Sequence, residues 1–361
     1  MVKRIGVLTG GGDCPGLNAV IRAVVRTAML KYGYEVFGYK NGYRGLVLND
    51  FVKFTSDDVS GILDKGGTLL GTSNRDNPFK FKVEKNGDIK YMDMSDRIIE
   101  NMGIFGVDAL VVIGGDGTLK GAERLYQKGV KVIGIPKTID NDISSTDFAV
   151  GFMTAVDIAT DAVDKLHSTA ESYHRVMILE VTGRHAGWTA LEAGIAGGAD
   201  VILIPEIPYD INKVAQKILE RRNAGKHFSI VIASEGAKCI DGKITVETPE
   251  DEHSDRIKHD GIGTRLADYL ENLTGIESRV TVLGHLQRGG RPIPYDRILS
   301  TRYGVAAVES ADCGKFGTVV SIQQNRITHV TFEEAVSKRK QVPPDGELVR
   351  IAKSVGVGFG D

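Results

Sequence analysis

Residues 5–25, IGVLTGGGDCPGLNAVIRAVV, hold the decision about the fold. Ile5–Thr9 is a short apolar run without alternation, which suits a strand covered on both faces. GGGDCPGLN follows as a glycine-rich turn, whose backbone N–H groups and following helix N-terminus would point at an anion. Leu17, Val20, Ile21, Val24 and Val25 then fall at i, i+3, i+4, i+7 and i+8, one apolar helical stripe with Pro15 near its first turn. Arg22 and Arg26 project from another face. The turn also reads as a tight strand-to-helix connection that merely needs glycine, and it lacks the Lys-Ser/Thr ending of a Walker P-loop.

Runs of the same kind recur at Glu35–Tyr39, Ala109–Ile113, Val130–Ile135, Val176–Val181, Val201–Pro205, Phe228–Ala233, Val280–Leu283 and Thr318–Ile322, between helical stretches. The pattern predicts an α/β protein with doubly wound, mostly parallel sheets. The chain has 361 residues with 42% apolar content, and single cores stop growing at roughly 250–300 residues, so two domains are expected. With 45 Lys+Arg against 47 Asp+Glu, no overall field would hold the protein on nucleic acid or on an anionic membrane. Cys14, Cys239 and Cys313 are too far apart for a zinc site or disulfide framework. The N-terminal apolar run is too short for a signal peptide or membrane span. A cytoplasmic protein is the expectation. Residues 237–260 are polar and charged and read as an exposed excursion. A helix carrying Ile262, Leu266, Leu270 and Leu273 follows, stopped by Gly275.

Three further loops could handle phosphate. IGGDGTLKGA removes side chains at Gly114, Gly115 and Gly117 around Asp116, so a carboxylate sits beside exposed amides where phosphate and Mg²⁺ could share a site. IGIPKTIDNDI sets Asp140 and Asp142 behind Pro136 and Thr138; two close carboxylates can divide the roles of proton acceptor and positioning group, though an Asx-rich turn explains the same residues. In GGTLLGTSNRDN, Arg75 could span two phosphates. HRVMILEVTGRHAGW supplies Arg175, Thr182, Gly183, Arg184 and His185 around one strand, and SRVTVLGHLQRGG supplies Arg279, His285 and Arg288 around another. Cationic groups at both ends of a buried strand are costly without anions. Glu235, in IASEG, could accept hydrogen bonds from sugar hydroxyls.

In this order, GGGDCPGLN, GGTLLGTS, IGGDGTLKGA, PKTIDND, EVTGRHAG, ASEG and LGHLQRGG make the chain resemble the phosphofructokinase family from about Lys3 to Ile322. PKTIDND and LGHLQRGG are highly specific to that family, whereas GGDGT is shared with NAD kinases and lipid kinases. The resemblance implies two similar α/β domains with the active site in the cleft: 1–151 plus about 287–337 binding nucleotide, and 152–286 plus about 338–361 binding fructose 6-phosphate. It implies a homotetramer that uses ATP and Mg²⁺. Asp140 would be the general base on the sugar 1-hydroxyl, oriented by Thr138, with Asp142 its essential neighbour. Asp116 would serve Mg²⁺; Gly11, Gly117 and Thr118 would lie near the nucleotide phosphates, and Arg75 would bridge toward the transferred group. Thr182, Gly183, Arg184, Glu235, His285 and Arg288 would hold the sugar phosphate, and Arg175 and Arg279 would reach its 6-phosphate from a neighbouring subunit. At the allosteric site of regulated bacterial members, Arg22 and Arg26 match, Asp200 stands for a longer Glu and His167 for an Arg. Thr182 stands where many ATP-dependent members carry Met.

The rival reading is a pyrophosphate-dependent phosphofructokinase. Pyrophosphate users of the family tend to carry Asp where this chain has Gly117, and Lys where it has Lys137. The two positions point opposite ways; Gly117 carries more weight because an acidic side chain there would repel and crowd the α-phosphate. Another GGDGT-type kinase would not need PKTIDND or LGHLQRGG, and a non-catalytic relative would usually have lost one of Asp116, Asp140 or Asp142.

Overall fold

The first apolar run forms β1 (Arg4–Thr9), buried from Ile5 onward, and its glycine turn leads into α1 (Leu17–Tyr32), in which all five residues of the predicted stripe are fully buried. Gly16 caps α1 at φ 113°, and Gly33 ends it at φ 67°, left-handed conformations that favour glycine. A computed structural model describes residues 2–85, 88–242 and 261–361. The chain divides into one unit of Met1–Thr138, Ile143–Met153 and Arg288–Lys338, and a second of Ile139–Asp142, Thr154–Gln287 and Arg339–Asp361.

The first unit continues through β2 (Glu35–Tyr39), α2 (Tyr43–Leu48), β3 (Phe51–Lys53), β4 (Phe81–Lys85), β5 (Asp88–Met92), α3 (Ser95–Phe105), β6 (Ala109–Gly114), α4 (Asp116–Gln127) and β7 (Val132–Pro136). After α5 (Phe152–Tyr173), most of the second unit follows as β8 (Val176–Val181), α6 (Trp188–Ala196), β9 (Val201–Leu203), α7 (Ile211–Asn223), β10 (Ser229–Ser234), α8 (Ile262–Thr274) and β11 (Ser278–Val282). A 3₁₀ turn at Gly284–Arg288 then leads to α9 (Pro294–Asp312), β12 (Thr318–Gln323), β13 (Arg326–Thr331) and α10 (Phe332–Val336); α11 (Glu347–Ser354) returns to the second unit.

The first unit's main sheet has the order β13-β12-β7-β6-β1-β2-β3, with a parallel centre and an antiparallel strand at each edge. From β1 the chain moves to β2 on one side and later to β6 on the other. The switch therefore lies at β1 and β6, where the carboxyl ends of parallel strands diverge and leave room for a ligand. The second unit's sheet is wholly parallel, β11-β8-β10-β9, and its switch lies at β8 and β11. Both switch points carry the motifs singled out from sequence.

Several expectations need correction. β11 is half exposed, because as an edge strand it is covered less than β8 or β10. Leu273 is 43% exposed, and Thr274 takes the buried place in the last turn of α8. The expected exposed excursion begins packed: Ala237 and Cys239 belong to the second unit's core, the Tyr209 N–H donates to Lys238 O at 2.9 Å, and the Ile240 N–H donates to Tyr209 O at 2.9 Å. Its remainder, 243–260, lies outside the described residues. Ile139–Asp142 groups with the second unit instead of the continuous 1–151 block, because Thr189 donates to Ile139 O at 3.2 Å and Lys340 N donates to Asp142 O at 2.8 Å.

Candidate active site

The first unit's candidate residues sit in a cradle built largely from missing side chains. Gly10 N donates to Ile113 O at 2.9 Å, tying the β1 turn to the end of β6. A Cβ on Gly10 would come within 2.7 Å of Thr118, and one on Gly114 within 2.4 Å, so two glycines make room for this buried threonine. Gly11 adopts φ 80° and donates to Ser73 O at 3.0 Å. Thr72 Oγ1 donates to Gly11 O at 2.6 Å, so the segment before Arg75 is laced onto the glycine turn. Arg75 itself is exposed, without an ion pair among the described residues. Asp116 opens α4, where the helix N-terminus favours its negative charge; Lys120, one turn on, pairs with it at 2.8 Å. Gly117 faces open space: a Cβ there would meet nothing within 4 Å.

Lys137 is buried. Its ammonium donates to Gly12 O and lies 3.2 Å from where a Cβ on Gly11 would stand. Arg288 belongs to this unit, and its guanidinium lies so close to Gly12 that a Cβ there would be 2.7 Å from Nη1. The turn thus has two cationic neighbours, both brought from distant segments. Among the described residues no cluster of three or more His, Cys, Asp or Glu could cage a metal. A single carboxylate suits Mg²⁺ held mainly by substrate phosphates and water.

The second unit's candidate residues are side chains bonded to one another. Asn141 adopts φ 52° and turns the chain between Asp140 and Asp142. Asp140 Oδ1 accepts a hydrogen bond from Thr182 Oγ1 at 2.7 Å, pairing the carboxylate with the residue just beyond β8. The Thr182 N–H donates to Gln287 Oε1 at 3.2 Å, and Gln287 is fully buried. Gly183 has φ 127°, and a Cβ there would be 2.2 Å from Ser234 Oγ, which donates to Gly183 O at 2.7 Å. Thr182, Gly183 and Gln287 thus meet at the β8/β11 switch. Glu235 is exposed just past β10 and His285 is exposed in the 3₁₀ turn; Arg184 is half-buried. Thr138 is half-buried at the end of the first unit's part of the PKTIDND segment. Asp142 has Arg339 at 3.9 Å, a neighbour that no motif had marked.

Arg175 and Arg279 have an anion after all. Glu277 takes two hydrogen bonds from Arg175, at 2.6 and 3.0 Å, and one from Arg279. Sequence reading also missed the Asp140–Thr182 bond, because the partners belong to motifs with separate roles.

A family model described as Phosphofructokinase matches residues 4–311. The chain is 58% identical over 362 residues to ATP-dependent 6-phosphofructokinase 2 of Clostridium perfringens, with 100% of this chain and 99% of that protein covered. It is 48% identical over 342 residues to the pyrophosphate–fructose 6-phosphate 1-phosphotransferase of Amycolatopsis methanolica, covering 95% of this chain and 97% of that one. Among solved structures, Pichia pastoris phosphofructokinase in the T-state has a TM-score of 0.79 and 33% identity, over 93% of this chain and 36% of the Pichia chain. With glycine loops and paired carboxylates at the switch points, a matching family model over most of its length and a full-length relative of this similarity, the chain belongs to the phosphofructokinase family.

Proposed function

We propose that the chain transfers the γ-phosphoryl group of ATP to the 1-hydroxyl of fructose 6-phosphate, giving fructose 1,6-bisphosphate. The observation that carries the mechanism is the Thr182 hydroxyl bonded to Asp140 Oδ1. Phosphoryl transfer to an alcohol asks the protein for alignment, charge stabilisation and a proton acceptor near the attacking oxygen. Asp140 takes that proton; Thr182 orients its carboxylate, with Thr138 and Asp142 beside it in the chain. Gly183, Arg184, Glu235, His285 and Arg288 hold the sugar phosphate, and Arg175 and Arg279 meet the 6-phosphate of a sugar bound to a neighbouring subunit.

On the donor side, Gly11, Gly117 and Thr118 leave the nucleotide phosphates room against backbone amides, and Arg75 meets the moving group. Asp116 fits Mg²⁺ as a single oxygen ligand, with Lys120 as the charge the ion would replace. The ion supplies charge neutralisation on the phosphates. Among the described residues no helix is long and apolar enough to cross a membrane. Sharing of Arg175 and Arg279 between subunits requires an oligomer, expected as a homotetramer in sedimentation; a fully active monomer would end that reading.

Lys137 favours a second reading, with pyrophosphate as donor: its ammonium occupies space beside Gly11, and a 48% identical relative is named for pyrophosphate use. The open space at Gly117 favours ATP. A coupled assay with fructose 6-phosphate and each donor side by side decides between them. Higher kcat/KM with ATP is expected; a much higher value with pyrophosphate would reverse the assignment.

A further inference from the structure

Glu277 lies one residue before β11, outside every motif that carried the functional reading. Its Oε2 accepts from Arg175 Nε at 2.6 Å and its Oε1 from Arg175 Nη2 at 3.0 Å; Oε1 also accepts from Arg279 Nη2. One carboxylate therefore joins an arginine preceding β8 to an arginine on β11. The Arg175 guanidinium lies 4.3 Å from the centre of the Tyr173 ring, and Arg279 Nη1 donates to Ser278 O at 2.9 Å. Hydrogen bonding from Arg175 is the largest cause holding the Glu277 carboxyl below its ordinary range.

We propose that Glu277 is a positioning residue for the sugar-phosphate site, holding Arg175 and Arg279 as a converging pair for the 6-phosphate without itself touching the substrate. The inference rests on the reading of Arg175 and Arg279 as 6-phosphate ligands. Glu277 engages the Nε/Nη2 side of Arg175, which leaves its Nη1 edge outside the bidentate pair and able to present a fork to an oxyanion. Long arginine side chains lose rotamer freedom when they bind, so holding them in advance lowers that cost. The carboxylate also cancels part of the pair's positive charge. A dianionic phosphate that bridges both forks tolerates this better than a small monoanion, so the arrangement favours sugar phosphates over free sugars and simple anions. The Arg175 and Glu277 side chains are 25% and 38% exposed, so solvent screening limits what the pair adds to fold stability, although its bidentate, bridged geometry adds more than a simple surface pair.

The test measures steady-state kinetics of the full chain with both substrates varied, for Glu277→Ala, Glu277→Asp, Arg175→Ala and Arg279→Ala. Both arginine variants should raise the KM for fructose 6-phosphate. Glu277→Ala should raise it roughly tenfold, with kcat, the KM for ATP and Tm close to the parent, and Glu277→Asp should recover part of the loss. An unchanged or lowered sugar KM in Glu277→Ala, while the arginine variants raise it, would overturn the inference: Glu277 would then be passive or a competitor for the guanidinium groups. Arginine variants without effect would instead overturn the 6-phosphate reading, and the positioning role with it.

Discussion

The two units place their candidate residues at equivalent points, the switch of a doubly wound parallel sheet, yet build them from opposite materials. In the first unit Gly10, Gly11, Gly12 and Gly114 bring backbone and buried Thr118 together by omitting side chains. In the second, Asp140, Thr182, Gln287 and Ser234 fix one another by hydrogen bonds. Charge follows this contrast only in part. Burial raises the carboxyls of Glu180, Glu192, Asp200 and Glu206 in the second unit, and hydrogen bonds or ion pairs lower those of Glu35, Asp58, Asp64, Asp93 and Glu334 in the first, but Arg175 and Arg279 lower Glu277 in the second unit as well. A donor site that must admit a polyphosphate benefits from space and amides. An acceptor site that must select one hydroxyl benefits from side chains already in place.

The strongest challenge to this contrast removes the proposed proton acceptor. Asp140→Ser should lower kcat by about 10²–10⁴-fold, the range of general-base contributions, while Tm and the KM for the sugar stay near the parent. Near-normal kcat with a raised sugar KM would make Asp140 a binding residue and move the base to Asp142. On the donor side, Gly117→Asp should fold normally, because its Cβ meets nothing and an acid suits a helix N-terminus. Its ATP kcat/KM should fall roughly 100-fold, since like charges facing each other cost several kcal/mol. Gly114→Ala tests the same half for room and should lose about 1–3 kcal/mol in denaturant unfolding, because Thr118 blocks the new methyl. If the two glycines behaved alike, the donor half would not be a matter of local space.

A smaller effect probes the second unit's bonded network. Thr182→Val keeps shape but removes the hydroxyl on Asp140, and kcat should fall about tenfold, matching the loss of a hydrogen bond to a charged group. No change in kcat would mean that Asp140 is oriented from elsewhere. The smallest prediction concerns pH. Burial pushes the Glu192 carboxyl from 4.5 up to about 7, with Lys340 opposing. The folded state then holds the proton more tightly than the unfolded state, so Glu192's contribution is full below the unfolded value and is lost as pH rises toward 7. Glu192→Gln should remove that slope and raise Tm at pH 8 relative to the parent more than at pH 5. Equal Tm changes at both values would show that Glu192 is solvated.

The sequence by itself determined the elements. Ile5–Thr9, Ala109–Ile113 and Val176–Val181 are legible as buried parallel strands because burial on both faces demands an unbroken apolar run, a property of neighbours along the chain. The stripe from Leu17 to Val25 is legible for the same local reason, as are the glycines that turn each strand into its helix. Tertiary structure alone decided the partners. Arg175 and Glu277 are 102 positions apart and Asp140 and Thr182 are 42 apart. Their meeting depends on β11 lying beside β8, and on Ile139–Asp142 packing with the second unit. Backbone periodicity is set by residues three or four apart, while a polar side chain's partner is set by strand order and register, which only the assembled sheet specifies.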